Sequence, residues 1–328
     1  MCVAAVWLPA PSACHAGRGF ARSVDVIATV SCITLDVAEP GGPMIKLFAS
    51  DLDGTLFNAF HNVDRTILDA ARAIVATGAH LVLATGRTVI SARDLGFEDV
   101  PIEAVGSNGS IIRDGAGEII KTFPLDPAEL EDLMRSFPHV CFDCVAPEGS
   151  YITGTREDHE AGFRRDGLVR RIVMRGMRQR RGGGGERRFS QSMGEVLAHE
   201  ICKVNCRVSD DGLERELKAY LAEHSDTLVN APFNPVMFEI TQVGVNKGAS
   251  VAWLAEHLGY AESEVAVYGD GGNDLVMLER FEHAYATANG SDEAKRAAGT
   301  VIGPCYLHAV PRHMLRTLRR ERGRVVIE

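Results

Sequence analysis

Ile45-Lys46-Leu47-Phe48-Ala49-Ser50-Asp51-Leu52-Asp53-Gly54-Thr55-Leu56 decides the reading of the fold: an apolar run stops abruptly at two carboxylates, a glycine and a hydroxyl. The run Ile45 to Ala49 is short and largely apolar, as expected of a strand buried on both faces within a parallel sheet. Asp51 and Asp53 then fall at its carboxyl end, the edge that faces the ligand crevice in open α/β sheets. Two residues apart on extended backbone, their side chains share one side, and Gly54 lets the chain turn without a Cβ clash. Alone, Asp-x-Asp-Gly reads equally well as a polar turn. Its partners further along the chain decide the matter.

Asp64 to Gly78 places Ile67, Ala70, Ala71, Ile74 and Val75 at the spacing of an amphipathic helix closed by glycine. An apolar strand follows at His80 to Ala84 and ends in Thr85-Gly86-Arg87. A further strand, Ile102 to Val105, ends in Gly106-Ser107-Asn108-Gly109. Strand, polar loop and helix in repetition predict a doubly wound parallel sheet, an α/β Rossmann-like core. From 125 to 235 the pattern becomes mixed. Helices are expected at Pro127 to Phe137 and Leu213 to His224, and strands at Val140 to Val145 and Thr227 to Asn230, so this stretch reads as an inserted α+β domain. The core is then 44–124 and 236–328.

Past Val236, Asn246-Lys247-Gly248 opens a helix through Val251, Leu254, Ala255 and Leu258, closed by Gly259. A lysine at a helix N-terminus opposes the macrodipole, so an anionic neighbour is expected. The strand Glu264 to Tyr268 then runs into Gly269-Asp270-Gly271-Gly272-Asn273-Asp274. Carboxylates on so glycine-rich a loop suit a hard cation with oxygen ligands.

Taken in order, Asp51-Leu52-Asp53-Gly54-Thr55, Thr85, Lys247 and Gly269-Asp270-Gly271-Gly272-Asn273-Asp274 resemble the four signatures of the haloacid dehalogenase-like phosphatases, over roughly Met44 to Leu318. The position and size of the insertion resemble the cap of the Cof-type, class IIB branch, which closes over the active site and selects the leaving group. The resemblance implies a Mg2+-dependent phosphatase with Asp51 as nucleophile and Asp53 as general acid and base. It implies metal ligation by Asp51, the backbone carbonyl of Asp53 and Asp270, with Asp274 orienting the cluster. Thr85, Gly86, Lys247 and Asn273 are then expected around the phosphoryl group of a small phosphorylated metabolite, a sugar phosphate or a phosphorylated cofactor. Ala288-Asn289-Gly290 departs from the Gly-Asn-Ala usual in the branch, which affects the local loop geometry.

Two other readings share these residues. A phosphomutase would use the same nucleophile and yield an isomeric phosphate. A nucleic-acid-binding protein would use the segment Arg164 to Arg188, which carries ten arginines. Against the latter stand the net charge of −9, the lack of interleaved aromatics before Phe189 and the intact acidic set. No window approaches about 18 uninterrupted apolar residues, so no membrane span is expected. Residues 1–43, rich in Ala, Pro, Ser and Gly, lack the basic n-region of a secretory signal. Arg18 and Arg22 allow a transit peptide, but a disordered extension or an upstream-assigned start before Met44 is preferred. The eight cysteines are scattered. Cys141 and Cys144 with Cys202 and Cys206 have a spacing compatible with zinc, although reduced thiols in a cytoplasmic protein account for them more simply.

Overall fold

The computed structural model describes residues 44–162, 185–208, 210–231 and 237–325. The extension 1–43 and most of the arginine-rich segment lie outside them. Strand β1 (Leu47–Ser50) leads through helix α1 (Arg65–Val75) to β2 (His80–Ala84), and then to β3 (Glu103–Gly106), β4 (Ile111–Arg113) and β5 (Ile119–Thr122). Helix α1 starts where Asp64 accepts a hydrogen bond from the Ile67 amide at 3.2 Å, satisfying one of the free N–H groups of the first turn. The insertion holds α2 (Pro127–Ser136), β6 (Asp143–Ala146), β7 (Gly149–Ile152), α3 (Arg156–Ala161), β8 (Glu186–Arg188), α4 (Met193–Leu197), β9 (Lys203–Cys206), α5 (Asp211–Glu223), β10 (Leu228–Asn230) and β11 (Phe238–Gln242). The chain finishes with α6 (Lys247–His257), β12 (Val265–Gly269), α7 (Leu275–Arg280), β13 (His283–Thr287), α8 (Asp292–Ala298), β14 (Thr300–Ile302) and α9 (Ala309–Val325).

The first sheet runs β14-β13-β12-β1-β2-β3-β4-β5 and is parallel from β14 to β3. From β1 the chain winds outward one way to β3, and from β12 the other way to β14. The boundary between β1 and β12 is therefore the point where winding reverses, and open α/β sheets hold their ligands at the carboxyl ends of the strands there. The expected doubly wound core is the observed one. The short β3-β4-β5 meander was not anticipated, because strands of three or four residues carry too little alternation to be read.

Alternate residues of the central strands feed two helical layers. Phe48, Leu81, Leu83, Ala266 and Tyr268 pack against α1 and α9 through Ile67, Ile74, Val310 and Met314. Leu47, Ala49, Val82, Val265 and Val267 pack against α6, α7 and α8 through Val251, Leu254, Met277 and Ala294. Both faces are thus dry, and the polar ends of the strands are the outlet for function.

The second sheet runs β10-β11-β9-β6-β7-β8. One face, with Cys144, Val204, Phe238 and Ile240, buries α2 and α5 through Leu130, Leu133, Leu217 and Leu221. Because β11 belongs to this sheet, the insertion reaches Gln242, and the core does not resume at 236 as the sequence suggested. Phe238 to Gln242 simply resembled another core strand. The same alternation separates the thiols. Cys144 and Cys206 lie in the helix-covered layer, whereas Cys202 packs with Ile111 and Val145 on the other side. Among the described residues the cysteines form no metal-binding cluster, and burial pushes the Cys144, Cys202 and Cys206 thiols up. No described helix is long and apolar enough to cross a membrane.

Candidate active site

Asp51 continues the line of β1, its amide still donating to the neighbouring strand β12 at the Tyr268 carbonyl, 2.9 Å away. The turn after it depends on Gly54, whose φ is +85° and where any Cβ would strike the Asp270 carboxylate. Thr55 Oγ1 donates to Asp270 Oδ1 at 3.0 Å. Thr287 Oγ1 and Asn289 Nδ2 donate to the Gly54 carbonyl at 3.2 and 2.7 Å. The loops after β1, β12 and β13 are therefore tied to one another.

Lys247 supplies the cation. It is the first residue of α6, capped by Asn246 Oδ1 on the Ala249 amide at 2.9 Å, and only 1% of it is exposed. Its Nζ donates to Asp51 Oδ1 at 2.6 Å and Asp274 Oδ1 at 2.7 Å, the anionic neighbours that its place at the helix start called for. Gly248 allows this approach, since a Cβ there would lie 2.9 Å from the Met277 backbone of α7. Asp274 Oδ2 accepts the Asp270 and Gly271 amides at 2.9 and 3.0 Å. Both oxygens of Asp274 are thus committed to the protein, as befits a residue that orients others.

Charge does not balance here. Burial works against the charge on Lys247, but the carboxylates of Asp274 and Asp51 outweigh it and keep the ammonium protonated. Burial, with the neighbouring Asp274 and Asp270, pushes Asp51 well above the usual carboxylate range in spite of Lys247. Asp270 is pushed up to about 6 by burial and by Asp274. One ammonium faces three carboxylates whose ligand oxygens all lie within 4.8 Å of one another. A divalent cation fits this deficit and this oxygen donor set.

Asp53 lies outside that trio. Its Oδ2 accepts Arg87 Nε at 2.6 Å, its Oδ1 takes a second bond from Arg87 Nη2, and His61 Nδ1 is 3.0 Å from the same oxygen. Its side chain is held by Arg87 and His61 and is not gathered with the acidic trio. Thr85, Gly86 and Asn273 come together around Asn108. The Asn108 amide donates to the Thr85 carbonyl at 3.0 Å, and Asn273 Nδ2 donates to Asn108 Oδ1 at 3.2 Å. A Cβ on Gly86 would lie 2.8 Å from that same oxygen. Thr85 Oγ1 accepts the Arg87 amide at 3.2 Å.

Sequence reading gave no role to Arg87, Asn289 or His61. For Arg87 the signal was its place directly after Thr85-Gly86 at a strand end. For Asn108 it was the Asn-Gly pair, which here adopts a left-handed φ of 60° at Asn108 and turns its side chain toward Asn273.

The family model for haloacid dehalogenase-like hydrolases matches residues 48–312. The chain belongs to this family. As a member it is an enzyme, a hydrolase. It is 27% identical over 277 residues to the HMP-PP phosphatase of Citrobacter koseri, covering 81% of this chain and 93% of that protein. It is 24% identical over 256 residues to the 5-amino-6-(5-phospho-D-ribitylamino)uracil phosphatase of Bacillus subtilis, covering 77% and 88%. The solved structure of a subclass IIB sugar phosphatase superposes with a TM-score of 0.63 at 20% identity, covering 83% of this chain and 98% of that one, which shows a shared fold.

Proposed function

We propose that this hydrolase is a Mg2+-dependent phosphatase of a small phosphorylated metabolite, acting through an aspartyl-phosphate on Asp51. The observation that carries the proposal is the placement of Asp51, 5% exposed, between Lys247 and the Asp270–Asp274 pair at the winding reversal of the sheet. Asp51, Asp270 and the Asp53 carbonyl are the groups that would hold Mg2+, with Asp274 orienting them, and the ion when bound would offset the negative charge of nucleophile and phosphate. Lys247 orients Asp51 through Oδ1, leaving Oδ2 as the attacking oxygen. Attack forms the bond from that oxygen to phosphorus and breaks the bond from phosphorus to the leaving oxygen, which receives a proton from Asp53. In the second half Asp53 takes a proton from water as the water displaces Asp51, and phosphate departs. Thr85, Asn273 and the Gly86 loop, with Lys247, are the donors available to the phosphoryl oxygens.

The class of substrate is supported by two relatives named as phosphatases of small phosphorylated molecules. Release of inorganic phosphate from a panel of small esters, with and without Mg2+, tests the reading. The expected result is Mg2+-dependent release that Asp51→Asn abolishes and Asp53→Asn lowers by about a hundredfold or more. Undiminished release by Asp51→Asn would refute it, and an isomeric phosphate as product would convert it to a phosphomutase.

A further inference from the structure

Asn58-Ala59-Phe60-His61-Asn62 lies between the turn that carries Asp53 and the start of α1. The loop is organised around Asn58. Asn58 Oδ1 accepts the Phe60 and Asn62 amides at 2.9 and 3.3 Å. The Asn58 carbonyl accepts the His61 amide at 2.9 Å, and the Asn58 amide donates to the Asn62 carbonyl at 3.2 Å. Asn58 Nδ2 then donates to Oδ2 of Asp64, the residue that caps α1, at 2.9 Å. His308 Nε2, immediately before α9, lies 2.7 Å from the same oxygen. Residues 58–62 are thereby closed on themselves and moored to two helices.

His61 stands in this loop with a left-handed φ of 55°. Such a backbone costs free energy in a residue with a Cβ, and it persists only where the surroundings impose it. What it delivers is His61 Nδ1, 3.0 Å from Asp53 Oδ1. Fold stability does not account for this contact. The His61 side chain is 44% exposed and that of Asp53 18%, and a pair so open to water adds little. Within the loop it is the His61 amide that is bonded, so the side chain is not what closes the turn.

Arg87 grips both oxygens of Asp53 as a planar fork, and the Arg87 amide donates to Thr85 Oγ1, so the fork belongs to the loop beside the proposed phosphate position. A fork fixes a carboxylate in the guanidinium plane but lets the two swing together. A third contact from a separate loop stops that swing, and His61 supplies it on Oδ1. Proton transfer depends steeply on such placement. We propose that His61 is a positioning residue, which acts through Asp53 by fixing the carboxylate that exchanges a proton with the leaving oxygen and with water. The inference rests on the phosphatase reading above.

The effect of losing this contact depends on the leaving group. An alkoxide needs the proton of Asp53 as its bond to phosphorus breaks, whereas a dinitrophenolate departs without one. The test is kcat/KM of the full chain with Mg2+ for dinitrophenyl phosphate and for the best alkyl phosphate of the ester panel, in the wild type, His61→Gly and His61→Asn. This constant compares free enzyme and ester with the first transition state, so later hydrolysis of the aspartyl-phosphate does not enter. His61→Gly keeps the left-handed backbone and removes the side chain. It should lower the alkyl-to-aryl ratio by about tenfold. His61→Asn, which tolerates the same φ and returns an amide nitrogen near the Nδ1 position, should restore most of the ratio. General damage lowers both esters alike and leaves the ratio where it was. A ratio unchanged in His61→Gly, or no recovery in His61→Asn, would overturn the positioning role alone. Release of phosphate from neither ester by the wild type would overturn the phosphatase reading, and the role of His61 with it.

Discussion

The strand ends of the core and the inward face of the inserted sheet both bury charge, but they settle it differently. At the core, Lys247 joins Asp51 and Asp274, and both carboxylate oxygens of the orienting residue Asp274 are bonded to the protein. On the inserted sheet, Lys203 and Glu239 are paired, while Asp143, Asn205 and Thr241 each keep a buried atom without a partner among the described residues. A catalytic site gains from donors and acceptors fixed in advance, since reorganising them during reaction costs rate. The contrast teaches that one region settles its buried charge within the protein while the other leaves buried polar atoms unpaired among the described residues.

The sharpest way to break this contrast is Lys247→Met. It leaves two carboxylates facing each other in a buried site, and should abolish phosphate release and lower stability by about 3–5 kcal/mol in denaturant titration. Lys203→Met removes a cation from one buried carboxylate rather than two, so its cost should be smaller, about 1–3 kcal/mol. A Lys203→Met protein as damaged as Lys247→Met would erase the distinction between the two regions. The smallest effect is a control on the outer rim of the core. His80 Nδ1 is 2.6 Å from Glu103 Oε1, and the Glu103 hydrogen bond raises the His80 pKa although burial opposes it. The folded state therefore holds this proton more tightly than the unfolded chain. Its stabilisation is complete below the unfolded pKa of about 6.5 and is lost as pH rises through the higher folded value. Under about 1 kcal/mol is expected, visible as a pH-dependent stability difference between wild type and Glu103→Gln that vanishes above that window. A difference that grew with rising pH would contradict the pairing.

The sequence by itself determined the core and marked the residues that gather at its strand ends. An apolar run ending in Asp51-Leu52-Asp53-Gly54-Thr55, and Asp270 to Asp274 on a glycine-rich loop, are local patterns, and strand-end chemistry is written in consecutive residues. Lys247 was marked as well, by the misfit of a lysine at a helix start. Tertiary structure alone decided the rest. The pairing of Arg87 with Asp53 and of Lys203 with Glu239, the place of β11 in the second sheet, and the row Glu239, Asn205, Asp143 all depend on which strands lie side by side and in what register. Strands of three to five residues are too short to declare their partners. Burial, which turns a surface charge into a catalytic group, belongs to the packed chain and not to any stretch of it.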